Sequence, residues 1–172
     1  MTKLSDLGSV VPENIPVHRL KDMPVFGGLR EDIVQLLLEG SHYVEQPAGG
    51  VFFVEGDRGD SAFIVESGTA ALFKHGKQSG NSYQIRTFAP GECFGAMALL
   101  GVYPRSGVVK ALEPCRAVEI RADQLFSVYL ADPEQYTLIF MNMARDLSRR
   151  LRDTDDQLVA LLEQSSIAGK IT

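Results

Sequence analysis

Apolar residues recur along this chain at two different spacings. From Ser41 to Ile120 they come in short runs broken by Gly, Pro, Asp and Asn, at roughly 41–46, 51–55, 61–66, 69–75, 82–88, 93–95, 106–112 and 115–120. Runs of that length and separation predict eight short β-strands. On both sides of this block the spacing becomes helical. His18 to Met23 reads as one helical turn. Leu29, Ile33, Leu36 and Leu37 mark a helix over 29–39, with Arg30-Glu31-Asp32 exposed and Gly40 suited to its C-cap. Asp123 to Leu130 predicts a further short helix. Asp132-Pro133 then marks a new start, with proline at the first helical position.

From Asp132 to about Gln164 runs the longest helical pattern. Phe140, Ala144, Leu147, Leu151, Thr154, Leu158, Leu161 and Ser165 follow one another by fours and threes, which is an a/d seam. Charged residues, including Arg149, Arg150, Arg152, Asp153, Asp155 and Asp156, fill the other positions. Such a stripe can simply pack on the β-structure. A helix of roughly thirty residues, however, spans roughly 45 Å, longer than a small sheet would cover. Its far half therefore needs another partner.

These elements predict an α+β fold: an eight-stranded β-roll or jelly-roll barrel with short N-terminal helices and a long C-terminal helix. The divisions are an N-terminal arm at 1–17, a β-roll with flanking helices at 18–131, the long helix at 132–165 and a tail at 166–172. Pro12 and Pro16 break any helix in the arm, which is expected to be mobile or loosely docked. The turn cluster Glu55-Gly56-Asp57-Arg58-Gly59-Asp60 and the break at Ser67-Gly68 put glycines where tight corners need positive φ.

Composition narrows the function classes. The 172 residues are 45% hydrophobic and 23% charged, with net charge −5. That balance argues against a large nucleic-acid surface. No apolar run reaches membrane-spanning length, and no signal-peptide pattern opens the chain. A cytoplasmic protein with no nucleic-acid or membrane partner is expected. Cys93 and Cys115 then read as reduced core residues. An iron–sulfur cluster takes four cysteines, and the chain has two. His18, His42 and His75 are scattered, so no His-x-His metal cluster is expected. No Gly-x-Ser-x-Gly or nucleophile–base motif occurs. The expectation is no enzyme, no catalytic residue and no metal.

One stretch concentrates chemistry. Pro90-Gly91 is a turn, and Phe94-Gly95 leads into a short helical turn from Ala96 to Leu100. Such a turn offers free backbone N–H groups, and Gly95 would let a ligand approach the main chain. Arg105 follows on the way into a strand. Its guanidinium can return over the turn and hold an anion, or it can be a surface residue bonded to Glu92 or a backbone carbonyl.

Phe94-Gly95-Ala96-Met97-Ala98-Leu99 followed by Arg105-Ser106-Gly107-Val108-Val109 resembles the phosphate-binding cassette of cyclic-nucleotide-binding domains. That family includes catabolite-activator-type regulators, kinase regulatory subunits and nucleotide-gated channels. Gly-Asp-x-Gly-Asp, Pro-Gly-x-x-Phe-Gly, the Arg-Ser pair and the long helix occur in the family's order over about residues 20 to 160. The resemblance implies a site made by Phe94, Gly95, Ala96, Met97, Ala98, Arg105 and Ser106, with cAMP or cGMP as ligand and no other cofactor. One position departs: the family's ribose-binding Glu is Ala96. The lost charge-assisted bond is worth roughly 1.5–3 kcal/mol. A different cyclic nucleotide, another phosphate metabolite or no ligand are the alternatives.

At the base end the family reads its ligand with residues of the β-roll and the long helix. Ile85, Arg86, Arg149 and Arg150 are the candidates, with Arg149 or Arg150 stacking on a purine or else remaining a solvated helix charge. The resemblance also implies a homodimer through the long helix and an effector protein in trans, since too few residues follow Gln164 for a winged helix-turn-helix. Three readings follow. One is a ligand-sensing regulatory module. The second is a ligand-free version that serves dimerisation or docking. The third is a cupin-like metalloenzyme.

Overall fold

The computed structural model describes residues 9–11, 15 and 17–168. Nine strands form among the described residues: β1 (Ser9–Val11), β2 (His42–Gln46), β3 (Val51–Phe53), β4 (Ser61–Ser67), β5 (Ala70–His75), β6 (Ser82–Phe88), β7 (Cys93–Phe94), β8 (Val108–Ala111) and β9 (Cys115–Arg121). The helices among the described residues are α1 (Val17–Leu20), α2 (Glu31–Leu38), α3 (Ala96–Gly101), α4 (Ala122–Ala131) and α5 (Pro133–Ala168), with a 3-10 turn at Pro24–Phe26.

The strands make two antiparallel sheets, ordered β1-β2-β9-β4-β7 and β3-β8-β5-β6. The architecture is the expected jelly-roll, but the expected barrel does not close. Among the described residues no strand pairs across from one sheet to the other, so the sheets lie face to face with open edges. The arm also departs from expectation. Ser9–Val11 docks as an edge strand, with Ser9 opposite Glu45 and Val11 opposite Tyr43, and Ile15 is buried. The rest of the arm, and 169–172 of the expected tail, lie outside the described residues.

Strand β4 shows how alternation divides the core. Ala62 and Ile64 point to the helices, into a cluster with Leu20, Phe26, Leu37 and Ile139. Phe63 and Val65 point the other way, into a cluster between the sheets with Phe52, Phe88, Phe94 and Val109. A strand buried on both faces reads as a continuous apolar run, as Ala62-Phe63-Ile64-Val65 does. Cys93 and Cys115 are free and buried, one in each cluster.

Helix α5 begins as its local residues dictate. The Asp132 Oδ1 accepts from the N–H groups of Glu134 and Gln135, both at 3.1 Å, while Pro133 occupies the first turn, where an amide proton would lack a partner. Ile139 and Met143 bury the near half against the helical cluster. Asn142 Nδ2 donates to the carbonyls of Val25 and Gly27, at 3.2 and 2.8 Å. From Leu151 to Gln164 every residue is exposed. No helix among the described residues is long and apolar enough to cross a membrane.

Candidate functional site

An open cleft of about 1110 Å³ lies between the outer sheet, α3 and the middle of α5. Residues of three strands line it: Leu72 and Lys74 on β5, Gln84 to Phe88 on β6, and Gly107 and Val109 leading into and along β8. Its floor is aromatic. Phe94 stacks on Phe63 at 5.1 Å and meets Phe52 at 5.0 Å, Phe88 at 5.4 Å and Phe53 at 6.0 Å. These contacts fix β7, and with it the start of α3.

At Gly95 the chain turns with φ +80°. Positive φ favours glycine, but here a second reason applies. A β-carbon on Gly95 would lie 2.6 Å from Nη1 of Arg105 and 3.2 Å from the Ser61 carbonyl oxygen. The space that the sequence suggests for a ligand is filled by the arginine head. Gly59 likewise has a different reason from the corner expected of it. Its φ is not positive, and a β-carbon there would meet Ala98 Cβ at 2.4 Å and the Tyr103 carbonyl oxygen at 2.5 Å, so α3 needs it for close packing. Gly56 and Gly68 do take positive φ.

Arg105 is held from both ends. Its N–H donates to Asp57 O and its own carbonyl accepts from Gly56 N–H, each at 2.9 Å. Its guanidinium donates from Nη1 to the carbonyls of Ser61 (2.7 Å) and Gly95 (2.9 Å), and from Nη2 to Ser61 Oγ (2.9 Å). It lies 4.3 Å over the Phe53 ring. The residue is only 4% exposed. Burial pulls its pKa below the ordinary arginine value, while Asp60, Glu119 and Asp57 act at longer range in the opposite direction. It remains a cation. Among the described residues no carboxylate bonds it. Three of its five N–H groups are used, and the buried Nε–H meets no acceptor. The reading of Arg105 as a surface residue is therefore wrong, although the backbone-carbonyl bonds are present.

The other predicted residues are placed as follows. Ala96, Met97, Ala98 and Ser106 line the cleft with Gly95 and Phe94. Ala96 and Ala98 are buried and Met97 is half-exposed. The N–H groups of Ala96 and Met97 are among those a helix leaves without internal partners. Ile85, Arg86 and Arg150 also line the cleft. Arg149 does not: it pairs with Asp146 at 3.3 Å, with 58% of its side chain exposed, beside a smaller hollow of about 310 Å³. Arg150, in contrast, is no solvated helix charge. Its side chain is 13% exposed and turns inward, 5.2 Å over Phe88, with Nη2 donating to the Cys93 carbonyl and pairing with Asp146 at 2.5 Å. Arg86 meets Asp153 of α5 at 3.7 Å. The Nε of Arg86 and of Arg150 are both buried without an acceptor.

Sequence reasoning missed Ser61, which holds Arg105 from 44 residues away, and Lys74. Lys74 was open to discovery, since it follows Leu72 by two on one strand face. Ser61 carries no local signal. Burial pushes the Cys93 thiol up to about 12. Among the described residues no three His, Cys, Asp or Glu side chains gather to hold a metal ion.

A short helical turn, a buried arginine and a long helix thus share one cleft of a two-sheet roll. The family model for the cyclic nucleotide-binding domain matches residues 43–132. The cyclic AMP receptor protein of Thermus thermophilus is 32% identical over 139 residues, 81% of this chain and 62% of that protein. A cAMP-dependent protein kinase regulatory subunit of Aspergillus niger is 27% identical over 104 residues, 60% of this chain and 24% of that one. The solved structure of a cyclic nucleotide-binding domain from Methylobacillus flagellatus superposes with TM-score 0.76 at 20% identity, covering 83% of this chain and 82% of the other, which shows a common fold. The chain belongs to the cyclic nucleotide-binding domain family. It spans about three fifths of the length of its Thermus relative.

Proposed function

We propose that the chain is a regulatory, non-catalytic ligand-sensing module. It binds cAMP, cGMP or a related phosphate ligand in the arginine-lined cleft and signals through α5 to an effector protein. Arg105 receives the phosphate, beside the N–H groups of Ala96 and Met97, and Ser106 flanks it. The outer strand with Ile85 and Arg86, and Arg150 of α5, face the rest of the ligand. Two copies pair through the exposed seam of α5. No nucleic acid, membrane or metal takes part, and the protein acts in the cytoplasm.

The observation that carries this reading is Arg105: a cation buried at the cleft wall, locked by three hydrogen bonds to neutral oxygens, with no carboxylate among the described residues bonded to it. Burying a charge without its counter-ion is costly unless an anion completes the site. Calorimetric titration with cAMP and cGMP, with Arg105→Ala in parallel, tests it. Binding by the wild type that is lost in Arg105→Ala is expected. Ala96→Glu should tighten any ribose-bearing ligand.

A second reading, a ligand-free dimerisation or docking module, is favoured by Ala96. The side chain that would meet a ribose hydroxyl is an alanine packed into the helical core, 5% exposed. A folded dimer that gives no heat with either nucleotide, and holds no small molecule as purified, would establish this second reading instead.

A further inference from the structure

The cations of the cleft are spread over more than one place. Lys74, Arg86, Arg105 and Arg150 line it, against Glu92 and Asp153, in a chain whose net charge is −5. Glu92 is already engaged, its Oε2 accepting from the Ala89 N–H at 2.8 Å. The arginines occupy two separate places. Arg105 lies over Phe53 and Arg150 over Phe88, on rings that flank Phe94. Arg86 approaches the second place from β6. All three have a buried Nε–H without an acceptor.

The carboxylates present do not satisfy them. Asp146 meets Arg150 at Nη2, at 2.5 Å, and the Arg150 Nε–H has no acceptor. Asp153 stands 3.7 Å from Arg86 Nη2, beyond hydrogen-bond length, and is half-exposed at its side chain. A cyclic phosphodiester carries one negative charge and two free oxygens. The unused Nη2–H of Arg105 is a charge-assisted donor to one of them. That ligand would leave the Nε–H groups of Arg86 and Arg150 without an acceptor.

We propose that the cleft takes a nucleotide carrying two separate phosphate groups, the first on Arg105 and the second between Arg150 and Arg86. This rests on the reading of the cleft as a phosphate-ligand site, and it names the ligand class. The second phosphate replaces Asp153 beside Arg86 and draws Arg150 from its contact with Asp146. Both of those acids are on α5, so the second phosphate is the group the helix responds to. Ala96 fits the same picture. Replacing a carboxylate with a methyl removes repulsion from a dianionic ligand.

Calorimetry on the 172-residue chain tests the proposal with three probes: cAMP, adenosine 3′,5′-bisphosphate and cyclic di-AMP. At least one two-phosphate probe should bind about tenfold or more tightly than cAMP, since a charge-assisted bidentate contact separates them. Its affinity should also fall more steeply with salt. Arg150→Gln should abolish the advantage, weakening the two-phosphate probe about tenfold more than it weakens cAMP, and Arg105→Ala should weaken every probe. Arg86→Gln serves in the same way if Arg150→Gln loses its far-ultraviolet circular dichroism. Which of the two probes prevails separates a bisphosphate from a cyclic dinucleotide. If cAMP binds through Arg105 at least as tightly as both, the two-phosphate proposal is overturned and the sensing function stands. If no probe binds to folded protein, both fall.

Discussion

A β-carbon on Gly95 would lie 2.6 Å from Nη1 of Arg105, and that nitrogen donates to Gly95's own carbonyl at 2.9 Å. The glycine thus serves two purposes. It takes φ +80°, and it leaves room for a cation that its carbonyl then binds. Alanine in that backbone region costs about 1–2 kcal/mol, and the clash adds to it. Gly95→Ala should lower unfolding free energy by about 2 kcal/mol or more, measured in urea, and weaken anion binding by displacing Arg105. In the Arg105→Ala background the same change should cost less, because the clash with Nη1 is gone and only the backbone strain and the close Ser61 carbonyl remain. Equal costs in both backgrounds would refute the coupling.

Val102 is the one non-glycine residue with positive φ among the described residues, at 54°, where it ends α3. It is 89% exposed, so no packing compensates a β-branched side chain in that conformation. Asparagine tolerates this region far better. Val102→Asn should stabilise the protein by about 1 kcal/mol and leave the cleft intact. A urea midpoint that stays put or falls would show that the strain is not felt.

The strands were legible because each carries its own signal, alternation between turn residues, and so was the pairing of Gly95 with Arg105 in one short motif. What escaped depends on contacts distant in sequence. Ser61 meets Arg105 across 44 positions, and the Cys93 carbonyl meets Arg150 across 57. The inward turn of Arg150 follows from where α5 crosses β7, and no periodicity along α5 encodes that crossing. Gly59 looked like a corner because its neighbours are polar, yet it is there for Ala98. Open sheet edges are likewise a property of the whole topology, which eight strands in a row do not reveal.

The buried cysteines give the folded state an alkaline limit. Burial raises Cys93 from the ordinary 9.0 to about 12, and Cys115 to about 11, with Glu113 adding to the latter. Between pH 9 and those values the unfolded chain has released protons that the folded protein keeps. Raising the pH therefore favours unfolding. The contribution is whole below pH 9 and is lost as pH climbs through 11 to 12. Cys93→Ala should be less stable than wild type at pH 8, through the cavity it makes, and the gap should narrow by about 1–2 kcal/mol by pH 10.5. A gap constant across that range, in urea titrations, would count against the shift. At neutral pH neither thiol should react with Ellman's reagent until the protein unfolds.

Leu151, Leu158 and Leu161 project from α5 with 63%, 54% and 63% of their surface exposed, on the stretch where every residue from Leu151 to Gln164 is exposed. An isolated helical stretch of that length is marginal in water, and three leucines on its seam make it more so in solubility. Pairing with a second copy removes both problems, with Thr154 as a polar position in the seam. Each buried leucine contributes about 1.5–3 kcal/mol, and a two-fold interface counts each one twice. Leu158→Lys with Leu161→Lys should therefore weaken self-association by about 100-fold or more, seen as a shift from dimer to monomer in sedimentation equilibrium. The helical circular dichroism should fall with it, because the freed end frays. If the double variant stays dimeric, the interface lies elsewhere. If the wild type is already monomeric at micromolar concentration, the seam belongs to the effector instead.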